Sequence, residues 1–364
     1  MSKSAILWNV GDKWNVEDVD LVEPRAGEVR VKVAASGLCH SDDHYVTGDQ
    51  PAQLPLVGGH EGAGVVEAVG PGVTRVKPGD HVVMVFNPPC GDCHFCLTGR
   101  GNLCFYNPPK TAPLGPAFRA RGQEVGAIAE LGTFSEYTNV AEARVIKIDE
   151  DIPLASAALL GCAVITGWGA AVYLGGVKPG ENVVVIGCGG VGVNSLQGAR
   201  SAGADIIVAV DPVEFKREQA LLFGATHTAA SVEEAAELLA TETRGRMADV
   251  AILSVGVGDG DTLQDTTRLV GPGGRTIITS VTPAASTTTN LGLFEFTMSE
   301  KILRGNVYGG VNVYRDVPLL LGLYKRGKLN LDELITTTYT LDDINQGYAD
   351  MHAGKNLRGM VLHG

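Results

Sequence analysis

Four of the seven cysteines lie in one short stretch, PPCGDCHFCLTGRGNLC, at residues 88–104. Four thiolates at this spacing can close a tetrahedral shell around a structural zinc ion and leave no position for a substrate. An iron–sulfur cluster is an alternative, but the ferredoxin pattern with a following proline is missing. Disulfide bonds are a second alternative. His94 lies inside the stretch and is redundant as a ligand. The four cysteines are Cys90, Cys93, Cys96 and Cys104.

A glycine-rich stretch, IGCGGVG, has the pattern G-x-G-x-x-G and lies between a predicted strand at 181–187 and a predicted helix at 191–203. This context predicts a dinucleotide site with the pyrophosphate at the helix N-terminus. Asp211 ends the next predicted strand, where a carboxylate accepts hydrogen bonds from the adenosine ribose and disfavours a 2′-phosphate, so NAD is expected rather than NADP. Cys188 is interpreted as a small residue in a tight turn, with a redox-active thiol as the alternative. The glycines assigned to the cofactor are Gly187, Gly189, Gly190 and Gly192.

Two further cysteines and a histidine could form a second metal site. They are Cys39 in GLCHSDDH, Cys162 in LLGCAV and His60 in GGHEGAG. Two thiolates and one imidazole make a three-ligand zinc set with one open position, which is the catalytic arrangement. Their spacing alone does not establish the site, because a lone cysteine is usually a small buried residue.

The first 150 residues are strand-like. Runs such as 28–37, 62–70 and 80–86 place β-branched residues between Gly and Pro turns, which predicts an antiparallel barrel or sandwich. Residues 105–132 are rich in Pro and Gly and are predicted to be a long surface loop.

Beyond residue 160, predicted strands and helices alternate, which indicates a parallel sheet with helices on both faces. The run GGRTIITSV, 273–281, is the candidate edge strand. Residues 157–177 carry no charge and are interpreted as a buried helix pair or hinge rather than a membrane span.

Composition narrows the class of protein. A length of 364 residues favours two domains. The 29 basic and 41 acidic residues give a net charge of −12, which disfavours a nucleic-acid partner. The N-terminus has no signal-peptide pattern, so a cytoplasmic location without a membrane partner is expected.

Taken in order, GLCHSDDH, GGHEGAG, the four-cysteine lobe, IGCGGVG and GKNLRG resemble the zinc-dependent medium-chain alcohol dehydrogenases over essentially the whole chain. Stretches such as GATHT, YKRGKLNLD and INQGYADM resemble the actinobacterial nicotinoprotein members, which use N,N-dimethyl-4-nitrosoaniline as acceptor. The resemblance implies an α/β chain: a mainly β GroES-like catalytic domain and a Rossmann doubly wound domain. The implied bounds are 1–163 with 308–364, including a structural zinc lobe at 88–107, and 164–307.

By this resemblance, the catalytic zinc ligands are Cys39, His60 and Cys162. Glu61 is the acid that can approach the metal during ligand exchange, and Asp42 orients His60. Ser41 would hydrogen-bond the substrate oxygen, and a proton relay would continue through the nicotinamide ribose to His44.

The resemblance also assigns cofactor contacts. His40 and Arg358 would meet the pyrophosphate, and Lys216 would meet the adenosine ribose. Thr166 and Val191 would pack against the nicotinamide. Phe86 is either a wall of the substrate pocket or plain core.

The implied activity is hydride transfer between a primary alcohol or aldehyde and NAD, in EC class 1.1, with zinc stabilising the alkoxide and two zinc ions per chain. As a nicotinoprotein, it would retain NAD and reoxidise it in place with an external electron acceptor or carrier. A thiol-dependent formaldehyde dehydrogenase is the alternative, and a non-catalytic zinc- and nucleotide-binding protein is a remote one. A homodimer or homotetramer is expected.

Overall fold

The computed structural model describes residues 2–106 and 115–364, which divide into two compact units. The first unit comprises the chain up to residue 162 together with residues 312–364, and the second comprises residues 163–311.

The described residues of the first unit begin with ten strands and three α-helices. They are β1 (Ser2–Leu7), β2 (Asn15–Leu21), β3 (Glu28–Gly37), β4 (Leu56–Val57), β5 (Gly62–Val69), β6 (His81–Met84), β7 (Phe118–Ala120), β8 (Gln123–Ala127), β9 (Tyr137–Ala141), β10 (Val145–Lys147), α1 (His40–Thr47), α2 (His94–Leu97) and α3 (Leu154–Ala158).

The second unit alternates strands and helices, and the chain then returns to the first unit. The second unit holds β11 (Val183–Ile186), β12 (Ile207–Val210), β13 (His227–Ala229), β14 (Ala248–Leu253), β15 (Val270–Ile278), β16 (Ile302–Gly305), α4 (Ala163–Gly169), α5 (Gly190–Ala202), α6 (Glu214–Leu222), α7 (Val232–Glu242), α8 (Gly260–Arg268) and α9 (Leu293–Met298). The returning segment holds α10 (Val313–Lys325), α11 (Ile344–His352), β17 (Ile335–Tyr339) and β18 (Arg358–Leu362).

The first unit combines a closed barrel, in the order β1-β2-β7-β8-β4, with a seven-stranded sheet, in the order β10-β6-β5-β3-β18-β17 with β9 also on β3. The prediction that 105–132 is one surface loop was wrong for residues 118–127, which form β7 and β8 of the barrel. Phe118 and Val125 in these strands are fully buried, so the few large residues of a Gly-rich stretch were enough to hold it in the barrel. Residues 107–114 of that loop, and residue 107 of the predicted zinc lobe, lie outside the described residues.

The second unit is a six-stranded sheet in the order β13-β12-β11-β14-β15-β16, and all of its pairs are parallel. This is the strand order of a doubly wound Rossmann sheet, which confirms the predicted fold class. The predicted edge was wrong, because β15 lies between β14 and β16. An apolar run such as TII suits an interior strand, whereas the edge strand β16 carries Arg304 and Gly305.

The uncharged stretch near residue 160 forms two helices, Leu154–Gly161 and Ala163–Leu174, and most of their residues are buried. No single helix of the described chain is long and apolar enough to cross a membrane, and this broken pair meets the test only by length and composition.

His363, which follows β18, makes the folded state sensitive to acid. Burial lowers the pKa of its imidazole to about 4, and Ser36 Oγ lies 3.3 Å from Nε2. The folded state therefore keeps the ring neutral, whereas the unfolded chain takes up a proton below about pH 6.5. We expect the free energy of unfolding to fall by about 1–2 kcal/mol between roughly pH 6.5 and 4 from this group, since partial exposure weakens the effect. Urea unfolding of the unsubstituted protein and of His363→Gln at several pH values in this range checks the prediction. The free energy of unfolding should depend less steeply on pH in the variant, and an equal dependence in both proteins would contradict the assignment.

Candidate active site

A buried set of metal-binding side chains lies in the first unit. The ligand atoms of Cys39, His60, Glu61 and Cys162 all lie within 4.8 Å of one another, and all four residues are buried. The structure thus brings together the three predicted zinc ligands and the predicted acid.

Strand pairing explains how distant residues meet. β3 and β5 are antiparallel neighbours with Ser36 opposite Gly62, and the Gly37 amide donates to the Glu61 carbonyl at 3.2 Å. Cys39 lies just beyond the end of β3, and His60 lies just before the start of β5. Both therefore lie at the same end of the sheet.

Cys162 reaches this place because Gly161 packs against the sheet. A Cβ on Gly161 would lie 2.8 Å from the Met84 carbonyl oxygen and 3.3 Å from the Glu61 Cα. A larger residue at this position would push Cys162 away from the other ligands.

Asp42 orients the His60 ring. Asp42 Oδ1 lies 3.0 Å from His60 Nδ1 and also accepts from the Gly59 amide at 3.1 Å. This carboxylate partner places the ring proton on Nδ1 and leaves the Nε2 lone pair free. Nε2 is buried and has no hydrogen-bond partner among the described residues. An orphaned imidazole nitrogen facing two thiols is the donor set that zinc prefers.

The Cys39 sulfur is disposed to be a thiolate. A hydrogen bond from Cys162, together with His60 and against the effect of burial, holds the pKa of Cys39 well below the usual thiol range. The thiolate is the form that binds metal, so the cluster fits a zinc ion.

Arg358 pairs with Glu61. The guanidinium donates to the Glu61 carboxylate in a buried ion pair, with the carboxylate fully buried and Arg358 5% exposed. Glu61 raises the pKa of Arg358 against the effect of burial, so the arginine stays charged. The predicted contact of Arg358 with a pyrophosphate stays a prediction.

Phe86 contacts the predicted zinc ligand His60 edge-on, with ring centroids 5.9 Å apart. Its role as a substrate-pocket wall stays a prediction.

The residues after Cys39 form α1, with Cys39 as its N-cap. Ser41 and His40 are partly buried, and His44 is 2% exposed. Burial lowers the pKa of His40, and its ring lies 6.1 Å from that of His352.

Two carboxylates that were not predicted as site residues contact histidines, one on α1 and one at the end of α11. Asp49 lies 3.0 Å from His44 Nδ1, and Asp43 lies 2.7 Å from His352 Nε2. For Asp49 the available signal was Gly48, a helix C-cap in the left-handed conformation that turns the chain back towards the last helical turn.

The four-cysteine set is a second candidate metal site in the first unit. All four sulfurs lie within 4.8 Å of one another, with Cys93 Sγ 3.8 Å from Cys104 Sγ and Cys90 Sγ 4.0 Å from Cys96 Sγ. Zinc–sulfur bonds of about 2.3 Å in a tetrahedron separate sulfurs by about 3.8 Å, so the geometry fits zinc. His94 is exposed.

The glycine fingerprint lies in the second unit, where β11 leads into α5. Gly187 has φ 90°, which only glycine adopts easily, and a Cβ on Gly192 would lie 1.8 Å from the Gly187 carbonyl oxygen. A Cβ on Gly189 meets no described atom within 4 Å. Gly187 thus permits the tight turn, and Gly192 lets α5 pack closely against that turn. Gly189 leaves exposed backbone at the α5 N-terminus, as a bound pyrophosphate would require.

Asp211 is tied to the same turn. Its carboxylate accepts from the Cys188 amide and from the Val213 amide, each at 2.9 Å. Cys188 itself is fully buried, and burial together with Asp211 raises the pKa of its thiol, so it fits the small-residue interpretation.

Other predicted cofactor residues lie on helices of this unit. Lys216 lies on α6 and is partly buried. A Cβ on Gly167 would lie 2.1 Å from the Val191 carbonyl oxygen, so α4 and the first turn of α5 are in close contact. Thr166 on α4 and Val191 on α5 therefore lie on neighbouring helices. Their roles stay predictions.

Comparison with known proteins agrees with this arrangement. Residues 25–150 match the family model for the alcohol dehydrogenase GroES-like domain, and residues 190–324 match that for zinc-binding dehydrogenases. The chain is 46% identical to an NDMA-dependent alcohol dehydrogenase of Amycolatopsis methanolica, with 100% of this chain and 99% of the relative covered. It is 36% identical to an S-(hydroxymethyl)glutathione dehydrogenase of Paracoccus denitrificans, with both chains fully covered.

Among solved structures, an alcohol dehydrogenase zinc-binding domain protein from Burkholderia ambifaria superposes with a TM-score of 0.91 at 32% identity, covering 100% of this chain and 99% of the other. The identity of 46% over the full chain, together with the two family models matched one after the other along it, assigns the family. The chain belongs to the zinc-binding alcohol dehydrogenase family.

Proposed function

We propose that this chain transfers hydride between primary alcohols or aldehydes and NAD, with two zinc ions per chain. The observation that carries the proposal is the buried set Cys39, His60 and Cys162, in which Asp42 leaves His60 Nε2 unpaired. Three donors leave one tetrahedral position for substrate. Bound zinc would supply a Lewis acid that lowers the pKa of an alcohol hydroxyl, and NAD would supply the hydride-accepting ring.

Two residues of α1 would handle the proton. Ser41 and His44 are three residues apart and therefore lie on one face of the helix. In the proposal, Ser41 hydrogen-bonds the substrate hydroxyl and His44 takes up the released proton. Both positions are at least partly shielded from bulk water, which keeps competing proton transfers out.

Glu61 would control ligand exchange. Its carboxylate already lies within 4.8 Å of the three ligand atoms. Arg358 holds the Glu61 carboxylate in a buried ion pair, and the positive charge of the arginine balances the negative charge of that carboxylate. Asp42 would keep the His60 ring aligned throughout.

For the cofactor, the α5 N-terminus would bind the pyrophosphate and Asp211 would bind the adenosine ribose, which selects NAD over NADP. His40, Arg358 and Lys216 would add positive charge. Thr166 and Val191 would pack against the nicotinamide, and Phe86 would form a wall of the substrate pocket.

The catalytic cycle would be that of a nicotinoprotein, with NAD retained and reoxidised in place by an external electron acceptor or carrier. The relative with 46% identity, which is named for its dependence on NDMA, supports this. A cytoplasmic location is part of the proposal, because thiolate zinc ligands must stay reduced.

Native mass spectrometry of the purified protein tests metal and cofactor content together. We expect about two zinc ions and one NAD per subunit, with NAD(H) released on denaturation. Alcohol oxidation coupled to NDMA should then proceed without added NAD. A protein that carries no NAD and turns over only with added NAD would contradict retention of the cofactor, and absence of zinc would contradict the mechanism.

A second candidate function is a thiol-dependent formaldehyde dehydrogenase. The relative of that kind is 36% identical, against 46% for the NDMA-dependent enzyme, which favours free alcohols. Turnover on primary alcohols compared with the hydroxymethyl-thiol adduct separates the two. A non-catalytic zinc- and nucleotide-binding protein is disfavoured because the three predicted catalytic zinc ligands lie together in one buried set.

We also propose that two copies pair through β16. Among the described strands it pairs only with β15, and so offers a free edge to a second copy about a two-fold axis. Large apolar side chains around it are exposed, from 53% to 81%. They are Leu293, Phe294, Met298 and Ile302.

Light scattering after size-exclusion chromatography checks the pairing. We expect the unsubstituted protein to be a dimer or a tetramer built from such dimers, and Phe294→Asp with Ile302→Lys to yield a smaller species, because charges are costly to bury in an interface. Leu221→Asp on α6 is the matched control, since Leu221 is equally apolar and 52% exposed but lies on another helix. A monomeric unsubstituted protein, or an unchanged double variant, would contradict this interface.

A further inference from the structure

His44 is the most enclosed member of the proposed proton path, and its two ring nitrogens have different surroundings. Nδ1 lies 3.0 Å from Asp49 Oδ2. Nε2 is buried and meets no hydrogen-bonding atom of the described chain. The residue is 2% exposed, so bulk water does not explain how Nε2 is satisfied.

Asp49 has the properties of a fixed anion. Thr47 Oγ1 donates to Asp49 Oδ2 at 2.7 Å, so the same oxygen receives Thr47 and His44. The hydrogen bond from His44, with that from Thr47, lowers the pKa of Asp49. Its side chain is 23% exposed, so the carboxylate joins a buried ring to the surface.

The turn after α1 places this carboxylate. Gly48 adopts φ 79° and ψ 11° as the C-cap of the helix, and the Gln50 amide donates to the His44 carbonyl at 3.1 Å. A left-handed glycine at this point reverses the chain and brings Asp49 over the last helical turn. A Cβ on Gly48 would lie 2.8 Å from Val10 Cγ1, so the turn is also packed in place.

We propose that Asp49 is the positioning residue of His44 in alcohol oxidation. By accepting from Nδ1–H, it selects the tautomer whose Nε2 lone pair is free to take the proton released by the alcohol. The N–H bond forms at Nε2, the carboxylate stabilises the resulting imidazolium, and the ring later returns a proton to water. The inference rests on the proposed function, because it assigns a partner to the proposed proton acceptor.

The first test measures the pre-steady-state rate of NADH formation with a primary alcohol, using the protein with its bound cofactor. We expect His44→Gln to lower this rate about 100-fold and Asp49→Asn about tenfold. Asp49→Asn should have no further effect in the His44→Gln background, because Asp49 acts through the ring. Asp49→Glu should recover most of the rate. A merely structural role would instead lower the rate equally in both backgrounds, and that result would overturn the proposal.

The second test needs no turnover. Two-bond proton–nitrogen correlation spectra report which ring nitrogen of a histidine carries the proton, and His44→Gln identifies the signal. We expect His44 to be protonated at Nδ1 and to lose that preference in Asp49→Asn. Asp43→Asn is the matched control, because Asp43 is a carboxylate next to His44 on α1 but contacts His352 instead. An unchanged tautomer in Asp49→Asn would overturn the assignment.

The two failures can be told apart. A protein that oxidises no alcohol contradicts the proposed function, and the spectra still show whether Asp49 sets the tautomer of His44. A protein that oxidises alcohols at the same rate with and without His44 keeps the dehydrogenase activity but overturns the role of Asp49.

Discussion

Cys39→Ala should abolish alcohol oxidation and leave the fold intact. The substitution removes one of the three proposed zinc ligands, the others being His60 and Cys162. A two-ligand remnant binds zinc weakly, and the Lewis acid is lost from the site. The loss of several kcal/mol of stabilisation corresponds to a fall in turnover of about 10⁴-fold. Steady-state rates with a primary alcohol, zinc analysis and circular dichroism measure the three consequences.

The number of zinc ions per chain shows whether the loss of activity comes from the catalytic site alone. We expect about one zinc per chain to remain, held by the four-cysteine set, while circular dichroism shows an unchanged content of helix and strand. Bound NAD should also be retained, because the fingerprint lies in the other unit. A Cys39→Ala protein that still oxidises alcohols at an appreciable rate would disprove the mechanism.

Cys93→Ala should have the opposite profile, with a large loss of stability and a small loss of turnover. Cys93 caps α2 by accepting from the Cys96 amide, and its sulfur lies 3.8 Å from Cys104 Sγ. The lobe has little core of its own, since Leu97 is 72% exposed and Phe105 is 51% exposed. On the proposed assignment, bound zinc would supply much of the folding energy of the lobe, and three remaining thiols would not close the shell.

We expect the free energy of unfolding to fall by about 3 kcal/mol and the melting temperature by roughly 10 °C. Turnover per catalytic zinc at low temperature should stay within about threefold of that of the unsubstituted protein, because no predicted catalytic residue lies in the lobe. Differential scanning calorimetry and zinc analysis provide the measurements. Each of the two cysteine variants is the control for the other, and a Cys93→Ala protein with normal stability but no activity would reverse the assignment of the two sites.

Local patterns in the sequence were enough where the interacting residues are close in the chain. The four cysteines at 90–104 need only a short turn to meet, so spacing predicts their set. The fingerprint depends on one strand–turn–helix unit, because Gly187 has φ 90° just after β11 and a Cβ on Gly192 would meet the Gly187 carbonyl oxygen. A Cβ on Gly187 would also meet Ser254 and Val255, which follow β14 and are distant in the chain. The alternation of strands and helices likewise predicts the parallel sheet.

The predictions failed where the decisive information was not local. Composition could not distinguish β15 from the true edge strand β16, because edge position depends on strand order across the sheet. The barrel strands β7 and β8 lie in a Gly- and Pro-rich stretch, and only their burial against the rest of the barrel keeps them extended. Asp49 was missed because its partner is reached through a turn rather than through helical spacing.

The sequence by itself therefore predicted the four-cysteine set, the dinucleotide fingerprint with Asp211 and the alternating parallel sheet, because these depend on short-range patterns. Resemblance to a family, rather than spacing, identified Cys39, His60 and Cys162. Only the tertiary structure brought these three together, through the register of β3 on β5 and the close packing of Gly161. Side chains that are far apart in the chain meet only when non-local strand pairing has formed, and that pairing decided where the proposed zinc site lies.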